Sequence, residues 1–236
     1  MIDKISVADF WESHARSVSN SQKPGLSNLE TDPNFAEKKI NIERTVLSSY
    51  VSSDSVGTFL DFGAGYGEWS LFFHKMFKKI IAYEQSATMY DIFLKKVTDN
   101  SIKNVEIIKK DVSKVESIDS FSVALLSGIL IYLPDTDVEN ILRLLFRASN
   151  SRSIIVLRDA TGVSGDYSID GKFSEALQQN YHAFYRSREH YIEIFKANGF
   201  DLLTDQDMFD EDSELNKWQE TRLRIYKFSA RVNANE

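Results

Sequence analysis

Three glycines stand close together where residues 60–69 read LDFGAGYGEW. Gly63, Gly65 and Gly67 follow a short apolar run and precede a stretch with helical periodicity. Glycine lets the backbone turn tightly and lets a ligand approach without meeting a Cβ atom. A plain strand-to-helix turn uses glycines equally well, so the loop alone leaves both interpretations open.

Two acidic residues stand at the ends of the next two apolar runs. Glu84 ends KIIAYE, and Asp111 follows VEIIKK. At the C-terminal edge of a parallel sheet, Glu84 can accept hydrogen bonds from both hydroxyls of a ribose. Asp111 can accept from an exocyclic adenine amine, with Val112 beside the ring. Each acid alone is more simply interpreted as a solvated strand end, but together with the glycines they predict one nucleoside-binding crevice.

A second set of polar residues follows the later strands. Arg158 and Asp159 end SIIVLRD, and a dense cluster of polar and aromatic residues, YHAFYRSREHY, occupies 181–191. Among the four histidines, His182 is the best general-base candidate, because a near-neutral pKa suits removal of a proton from a hydroxyl. A structural role for this histidine stays open.

The arginines of this region predict the charge of a bound substrate. Arg158 and Arg186 together indicate an anionic group, because guanidinium binds phosphate and carboxylate bidentately. A salt bridge between Arg158 and Asp159 is the alternative. No set of histidines and carboxylates has the spacing of metal ligands, so we expect no bound metal.

Apolar runs of strand length alternate with segments of helical period from Gly57 onward. They lie at 58–62, 79–84, 105–110, 121–128 and 153–159. Uninterrupted apolar strands alternating with helices predict an α/β fold with a parallel sheet covered on both faces. The run at 221–230 alternates apolar and basic residues, which predicts a half-exposed, antiparallel strand.

The N-terminal region is predicted as a short helix near 6–16, then a polar loop over 17–34. The helix carries Phe10 and Trp11, and either caps the site or only anchors a fold edge. Residues 159–180 contain three glycines and are predicted as a loop that covers the substrate. We expect residues 1–34 to form the cap helix and loop, and 35–236 the main domain of one globular unit.

Composition excludes several classes of protein. The net charge of −7 argues against a nucleic-acid binder, which normally carries a basic surplus. The absence of cysteine excludes disulfides and thiolate metal sites. No apolar run is long enough for a membrane helix, and the first residues lack the plan of a signal peptide. A cytoplasmic location is therefore expected.

The sequence resembles the class I S-adenosylmethionine-dependent methyltransferases. LDFGAGYGEWS is similar to the first motif of the family, Glu84 and Asp111 match its ribose and adenine acids, and FSVALLSG at 121–128 is similar to its fourth-strand motif. The resemblance covers roughly residues 35–230. It implies a Rossmann-like seven-stranded sheet in the order 3-2-1-4-5-7-6, with strand 7 antiparallel and helices on both faces.

The resemblance also implies S-adenosylmethionine as the cofactor. Asp61, the acid before the glycines, can meet the methionine ammonium group directly or through water. The spacing G-x-G-x-G differs from the dinucleotide fingerprint, which makes an NAD enzyme the weaker interpretation. The expected cofactor contacts are Asp61, Gly63, Ala64, Gly65, Tyr66, Gly67, Glu84, Gln85, Asp111, Val112 and Ser127.

The predicted function is O-methylation of a small molecule or glycan, at a sugar hydroxyl or a terminal phosphate. RDATG and YHAFYRS are similar to methyltransferases of bacterial surface-polysaccharide synthesis. The N/D-P-P-Y/F motif of amine and amide methylators is absent. A non-catalytic module that binds a cofactor or nucleotide is the alternative. The expected catalytic residues are His182, Asp159, Arg158, Tyr185 and Arg186.

Overall fold

The computed structural model describes residues 2, 4–20, 32–51, 57–174 and 179–231. Within them the helices are α1 (Lys4–Asn20), α2 (Pro33–Val51), α3 (Glu68–Phe73), α4 (Ala87–Asp99), α5 (Asp135–Ala148) and α6 (Arg188–Ala197). The strands are β1 (Thr58–Phe62), β2 (Lys79–Glu84), β3 (Val105–Lys109), β4 (Val123–Ser127), β5 (Ile154–Gly162), β6 (Tyr167–Ser174), β7 (Gln179–Tyr185), β8 (Phe200–Asp207) and β9 (Thr221–Ala230). Across these ranges, no helix is both long and apolar enough to cross a bilayer.

Seven strands form one sheet in the order β3-β2-β1-β4-β5-β9-β8. Strands β1 to β5 pair in parallel, while β9 is antiparallel to both β5 and β8. Counted along the chain within this sheet, the order is 3-2-1-4-5-7-6, as the sequence predicts. The strand order reverses between β1 and β4, which opens a crevice at the carboxyl ends of the strands.

The two faces of the sheet are covered by different helices. Ala124 and Leu126 of β4 pack with α5 and α6, whereas Val123 and Leu125 pack with α2 and α3. All four side chains are buried. Because neighbouring residues of a strand point to opposite faces, burial on both faces produces the uninterrupted apolar run seen in the sequence.

The segment 159–180, predicted as a loop, contains strand instead. β5 continues to Gly162, and β6 pairs with β7 as an antiparallel hairpin. The register shifts between Ile169 and Lys172, where Gly171 has a φ of +68°. The glycine marks a β-bulge within a strand, so it does not end the strand. The polar loop predicted at 17–34 is also shorter, because α1 runs to Asn20; residues 21–31 lie outside the described residues.

We predict that Gly67→Ala lowers the free energy of unfolding more than Gly128→Ala does. Both glycines have left-handed backbones, with φ of +79° and +66°, which cost about 1–2 kcal/mol for a residue with a Cβ atom. At Gly67 the added Cβ would also lie 2.2 Å from the Phe93 ring, whereas at Gly128 the nearest atom is 4.0 Å away. The clash adds about 1–3 kcal/mol. Urea unfolding measures both variants, and equal losses would contradict the prediction.

Candidate functional site

A cavity of about 1130 Å³ opens where the parallel strands end. Its walls include the glycine loop, the acids that end β2 and follow β3, and residues of α1, α2, β5 and β7. Most of the expected cofactor residues line it: Gly63, Ala64, Gly65, Glu84, Gln85, Asp111, Val112 and Ser127. The sheet therefore brings residues from four separate segments of the chain into one site.

The glycine loop folds back onto the end of β2. The N–H groups of Gly63 and Ala64 donate to the Tyr83 carbonyl at 3.0 and 2.9 Å. The Gly65 N–H donates to Glu84 Oε2 at 2.8 Å. Gly63 and Gly65 have φ of +76° and +55°, a region that favours glycine. At Gly63 a Cβ atom would also lie 2.9 Å from the Ile129 side chain, so glycine allows this close packing.

Glu84 is buried, and both of its oxygens already accept a backbone hydrogen bond. Oε1 accepts from the Ser86 N–H at 2.7 Å and Oε2 from Gly65. Burial raises the pKa of Glu84, and these backbone donors oppose the shift. A carboxylate has about four acceptor positions, and the Gln85 backbone is a third donor to it, so room remains for a hydroxyl of a ribose. The fit to a nucleoside thus rests on an oriented carboxylate at the cavity wall.

Asp111 also lines the cavity, and it is held by its own turn. Oδ1 accepts from the Ser113 N–H at 2.9 Å and from the Ser113 hydroxyl at 2.8 Å. Lys114 Nζ lies 3.6 Å from Oδ2. These contacts fix the carboxylate beside Val112, the predicted neighbour of an adenine ring.

Three of the expected cofactor residues lie beneath the glycine loop, away from the cavity lining. Asp61 accepts a hydrogen bond from the Ser70 hydroxyl at 2.6 Å, and burial raises its pKa to about 6. Tyr66 is fully buried and packs with Met89. Asp61 and Tyr66 are buried beside the loop to which Gly67 belongs. The contact of Asp61 with a methionine ammonium group, directly or through water, stays a prediction of the sequence.

Arg158 lines the cavity as expected, but its charge is already paired. Nη2 lies 2.7 Å from Oε2 of Glu43, and Nη1 donates to the Ser127 hydroxyl at 3.2 Å. The Trp69 indole N–H donates to the same hydroxyl at 3.1 Å. A paired guanidinium has lost much of its attraction for a second anion.

Glu43 is a site residue that the sequence interpretation missed. It lies on α2, is 3% exposed and lines the cavity. The sequence spacing does indicate that Glu43 is buried. It shares one helical face with three apolar residues: Ile40 lies three positions before it, Leu47 four after and Tyr50 seven after. An acid on the buried stripe of an amphipathic helix requires a partner, and Arg158 is that partner.

Arg186, expected to bind an anionic acceptor, lies away from the cavity and is fully buried. Nε donates to Asp135 Oδ1 at 2.8 Å, Nη1 to the Leu130 carbonyl at 2.8 Å, and Nη2 to the Leu133 carbonyl at 2.7 Å. The guanidinium therefore fastens the connection between β4 and α5. This placement corrects its expected role.

Asp159 faces the opposite side of β5 from Arg158. It is fully buried, and its Oδ2 accepts a hydrogen bond from the Tyr191 hydroxyl at 3.0 Å. Burial raises the pKa of Asp159 to about 7, although Tyr191 and both arginines oppose the shift. Because strand residues alternate between faces, the Arg158-Asp159 pair cannot place both side chains in one cavity.

His182 is likewise on the wrong face of its strand for the expected role. It lines a separate cavity of about 310 Å³, and its Nδ1 lies 3.1 Å from Asp170. Tyr181 and Tyr185 lie on the other face of the same strand and line the main cavity instead. The structure therefore does not bring His182 to the expected cofactor residues. Within the described parts of the chain, no group of three histidines or carboxylates could hold a metal ion.

Three tyrosines form a hydrogen-bonded phenol cluster in the main cavity. The Tyr185 hydroxyl donates to Tyr181 at 3.2 Å, and the hydroxyls of Tyr181 and Tyr132 are 3.0 Å apart. Tyr132 belongs to a short 3₁₀ turn after β4, while the other two lie on β7. The sequence interpretation selected only Tyr185, because nothing in the sequence indicates that Tyr132 lies near it.

Helix α1 covers the cavity and is tied at two places. The Glu12 carboxylate accepts from the Ser86 and Thr88 hydroxyls at 2.6 and 2.7 Å. Burial opposes ionisation, but the hydrogen bonds from Ser86, Thr88 and Arg16 lower the pKa of Glu12 to about 2. Lys4 Nζ donates to Asp137 at 2.6 Å. The helix therefore lies where a cap is expected, and the domain division at residue 34 stays a prediction.

Residues 59–151 match a family described as a methyltransferase domain. This part of the chain is a methyltransferase domain. It runs from β1 through α5 and contains the glycine loop, Glu84, Asp111 and Ser127. The match confirms the resemblance to class I methyltransferases, whose expected cofactor is S-adenosylmethionine. Helices α1 and α2 and strand β7, which complete the cavity, lie outside the matched range of the methyltransferase domain.

Solved structures share the fold of this chain, both inside and outside the matched methyltransferase domain. A SAM-dependent methyltransferase from Leishmania major has 15% identity, a TM-score of 0.71, and coverage of 96% of this chain and 82% of that chain. Magnesium protoporphyrin IX methyltransferase from Synechocystis, with bound SAM, has 14% identity, a TM-score of 0.66 and 98% coverage of both chains. The [4+2]-cyclase SpnF has 12% identity, a TM-score of 0.72 and 96% coverage of both. No curated protein sequence matches the chain.

We predict that the buried carboxyl of Asp159 makes stability fall as pH rises from about 4 to 7. Its pKa is raised in the folded state to about 7, so over this window the folded protein binds more protons than the unfolded chain. The slope approaches about 1.4 kcal/mol per pH unit for one proton. Asp159→Asn stays neutral and should lose this part of the slope. Urea unfolding at several pH values measures it.

The exposed carboxylate of Asp212 provides the matched control. Asp212→Asn should unfold with the pH dependence of the wild type. If Asp159→Asn also keeps the wild-type slope, the buried carboxyl does not titrate in this window and the prediction is wrong.

Proposed function

We propose that the protein transfers the methyl group of S-adenosylmethionine to a hydroxyl oxygen of a neutral small molecule or sugar. The observation that carries the proposal is one cavity that joins the glycine loop and Glu84 at one wall to the phenol cluster at another. Enclosed space beside a cofactor cradle is what methyl transfer requires, because the acceptor must be held in line with the methyl group.

The cofactor half consists of residues from the methyltransferase domain. Glu84 would accept hydrogen bonds from the ribose hydroxyls, and Asp111 and Val112 would contact the adenine. The backbone of the loop from Gly63 to Gly65 would lie against the ligand. When bound, S-adenosylmethionine supplies a methyl group on a positively charged sulfur. In the transfer the acceptor oxygen forms a bond to the methyl carbon, the carbon–sulfur bond breaks, and its electron pair stays on sulfur.

The hydroxyl proton needs an acceptor, and Glu43 is better placed than His182. Glu43 lines the cavity, and Arg158 holds its Oε2. Its Oε1 is buried without a hydrogen-bond partner among the described residues, and Lys39 Nζ is 3.9 Å away. In this proposal the proton passes to the Glu43 carboxylate, and Arg158 keeps that carboxylate oriented.

The paired arginines favour a neutral acceptor over a phosphate or carboxylate. Arg158 is bound to Glu43, and Arg186 is buried against backbone carbonyls. The anionic interpretation depended on both guanidinium groups being available. A sugar hydroxyl fits the proposal, while a role in polysaccharide synthesis and a cytoplasmic location remain predictions of the sequence.

A non-catalytic binding module remains the second candidate. A shared fold does not by itself fix the activity, because a [4+2]-cyclase also has this fold. Both possibilities predict cofactor binding. Only the methyltransferase, and not the binding module, would transfer a labelled methyl group from S-adenosylmethionine to an added acceptor.

We predict that Glu84→Gln weakens binding of S-adenosylhomocysteine by about 10-fold or more. A glutamine keeps only one carbonyl oxygen, so it cannot serve Ser86, Gly65 and two ribose hydroxyls together. Loss of a hydrogen bond to a charged group costs about 1.5–3 kcal/mol. Titration calorimetry measures the affinity. Glu106→Gln, which changes a half-exposed carboxylate on β3 outside the cavity lining, is the control and should bind as the wild type does.

We predict that Glu43→Gln lowers methyl transfer by about 10²–10⁴-fold, since it removes the proton acceptor. Its affinity for S-adenosylhomocysteine should stay within about threefold of the wild type. The acceptor is found first, by screening labelled methyl transfer against neutral sugars, phenols and their phosphorylated analogues. His182→Ala is the matched control and should keep its activity within about threefold. Methylation of phosphorylated compounds alone would refute the neutral acceptor.

A further inference from the structure

We infer that the phenol cluster of Tyr132, Tyr181 and Tyr185 is the subsite that recognises the acceptor, and that it takes a neutral ring carrying two adjacent hydroxyls. The inference rests on the proposed function, because it names the class of molecule that receives the methyl group. It concerns residues 132, 181 and 185, of which the sequence interpretation selected one.

The cluster is built from two elements that are distant in sequence. Tyr181 and Tyr185 stand four residues apart on β7 and point to the same face of the strand, toward the main cavity. Tyr132 joins them from the turn that follows β4. Tyr132 and Tyr185 are 7% and 9% exposed, so water has limited access to their hydroxyls.

The hydrogen bonds of the cluster leave one proton unused. Three hydroxyls carry three protons, and two hydrogen bonds use two of them. Since Tyr185 donates to Tyr181, the remaining proton lies on Tyr181 or on Tyr132. Buried donors are normally paired, so this proton requires an oxygen that the described residues do not supply. A ligand hydroxyl in the cavity would accept it, and a second hydroxyl would donate to a free lone pair of the cluster.

The protonated phenols of the cluster suit a neutral ligand beside them. Burial raises the pKa of all three phenols, and the neighbouring carboxyl of Asp159 raises it further. The phenols therefore stay protonated and act as hydrogen-bond donors. An anionic ligand beside them would lose its hydration, and the Arg158 guanidinium of the same cavity is already paired with Glu43.

The aromatic and apolar side chains around the cluster favour a ligand that contains a ring. The Trp11 ring of α1 lies 5.5 Å from the Tyr132 ring at 78°, and the Tyr132 and Tyr181 rings are 6.1 Å apart at 87°. Ile131 and Ala160 add apolar surface to the same wall. Aromatic edges and faces in this arrangement suit a flat aromatic ring or the apolar face of a sugar.

The test measures binding of catechol and of methyl α-glucoside to the wild-type protein saturated with S-adenosylhomocysteine. The two probes share adjacent hydroxyls and distinguish an aromatic source from a sugar source. We expect at least one to bind with a dissociation constant below about 10 mM. Tyr181→Phe should weaken that binding by about 5-fold or more, because its hydroxyl takes part in both hydrogen bonds. Tyr132→Phe is the second variant and should act in the same direction.

The control is Tyr83→Phe, which removes a buried hydroxyl outside the cavity and should bind both ligands as the wild type does. All three variants should bind S-adenosylhomocysteine within about threefold of the wild type. The inference is overturned if neither probe binds while S-adenosylhomocysteine does, if 3,4-dihydroxybenzoate or glucose 6-phosphate binds more tightly than its neutral counterpart, or if both Tyr→Phe variants bind unchanged. Failure of S-adenosylhomocysteine to bind would instead overturn the proposed function, and this inference with it.

Discussion

The hydrogen bond from the Gly65 N–H to Glu84 is the contact on which the rest of the site depends. It joins the loop after β1 to the end of β2, and this requires a left-handed backbone that glycine adopts readily. Because β1 and β4 are neighbours with their connections on opposite sides, the space above this contact stays open as a crevice. The cavity, the cofactor half and the acceptor half are all arranged around that opening.

Buried charges fix the other walls. Arg158 and Arg186 look alike in the sequence, yet one is paired with Glu43 at the cavity and the other holds the carbonyls of Leu130 and Leu133. Removing one member of such a pair leaves an uncompensated buried charge, which costs several kcal/mol. The arginines therefore determine the shape of the acceptor half more than its charge. The proposed neutral acceptor follows from this pairing of Arg158 and from the place of Arg186 outside the cavity lining.

The fold and the cofactor half were predictable because they depend on local patterns. Apolar runs such as KIIAYE and FSVALLSG are buried on both faces of one sheet, and the glycine loop and Glu84 stand at strand ends. The acceptor half depends on which face of its strand each side chain lies on, and moving one position along the strand places the side chain on the opposite face. His182 and Tyr181 are neighbours in sequence and line different cavities. Glu43 was missed since its partner is 115 positions away and only the fold brings them together.

Helix α1 connects the two halves of the site, although it lies outside the matched methyltransferase domain. Its Glu12 accepts from the Ser86 hydroxyl, and the Ser86 N–H donates to Glu84, so one residue connects the helix to the carboxylate that we propose binds ribose. The residue directly before Glu12, Trp11, packs against Tyr132 of the phenol cluster. The same helix thus contacts both the residue that orients Glu84 and the wall of the phenol cluster. If these are the cofactor and acceptor halves, as we propose, the position of α1 sets the distance between them, and in-line transfer depends on that distance.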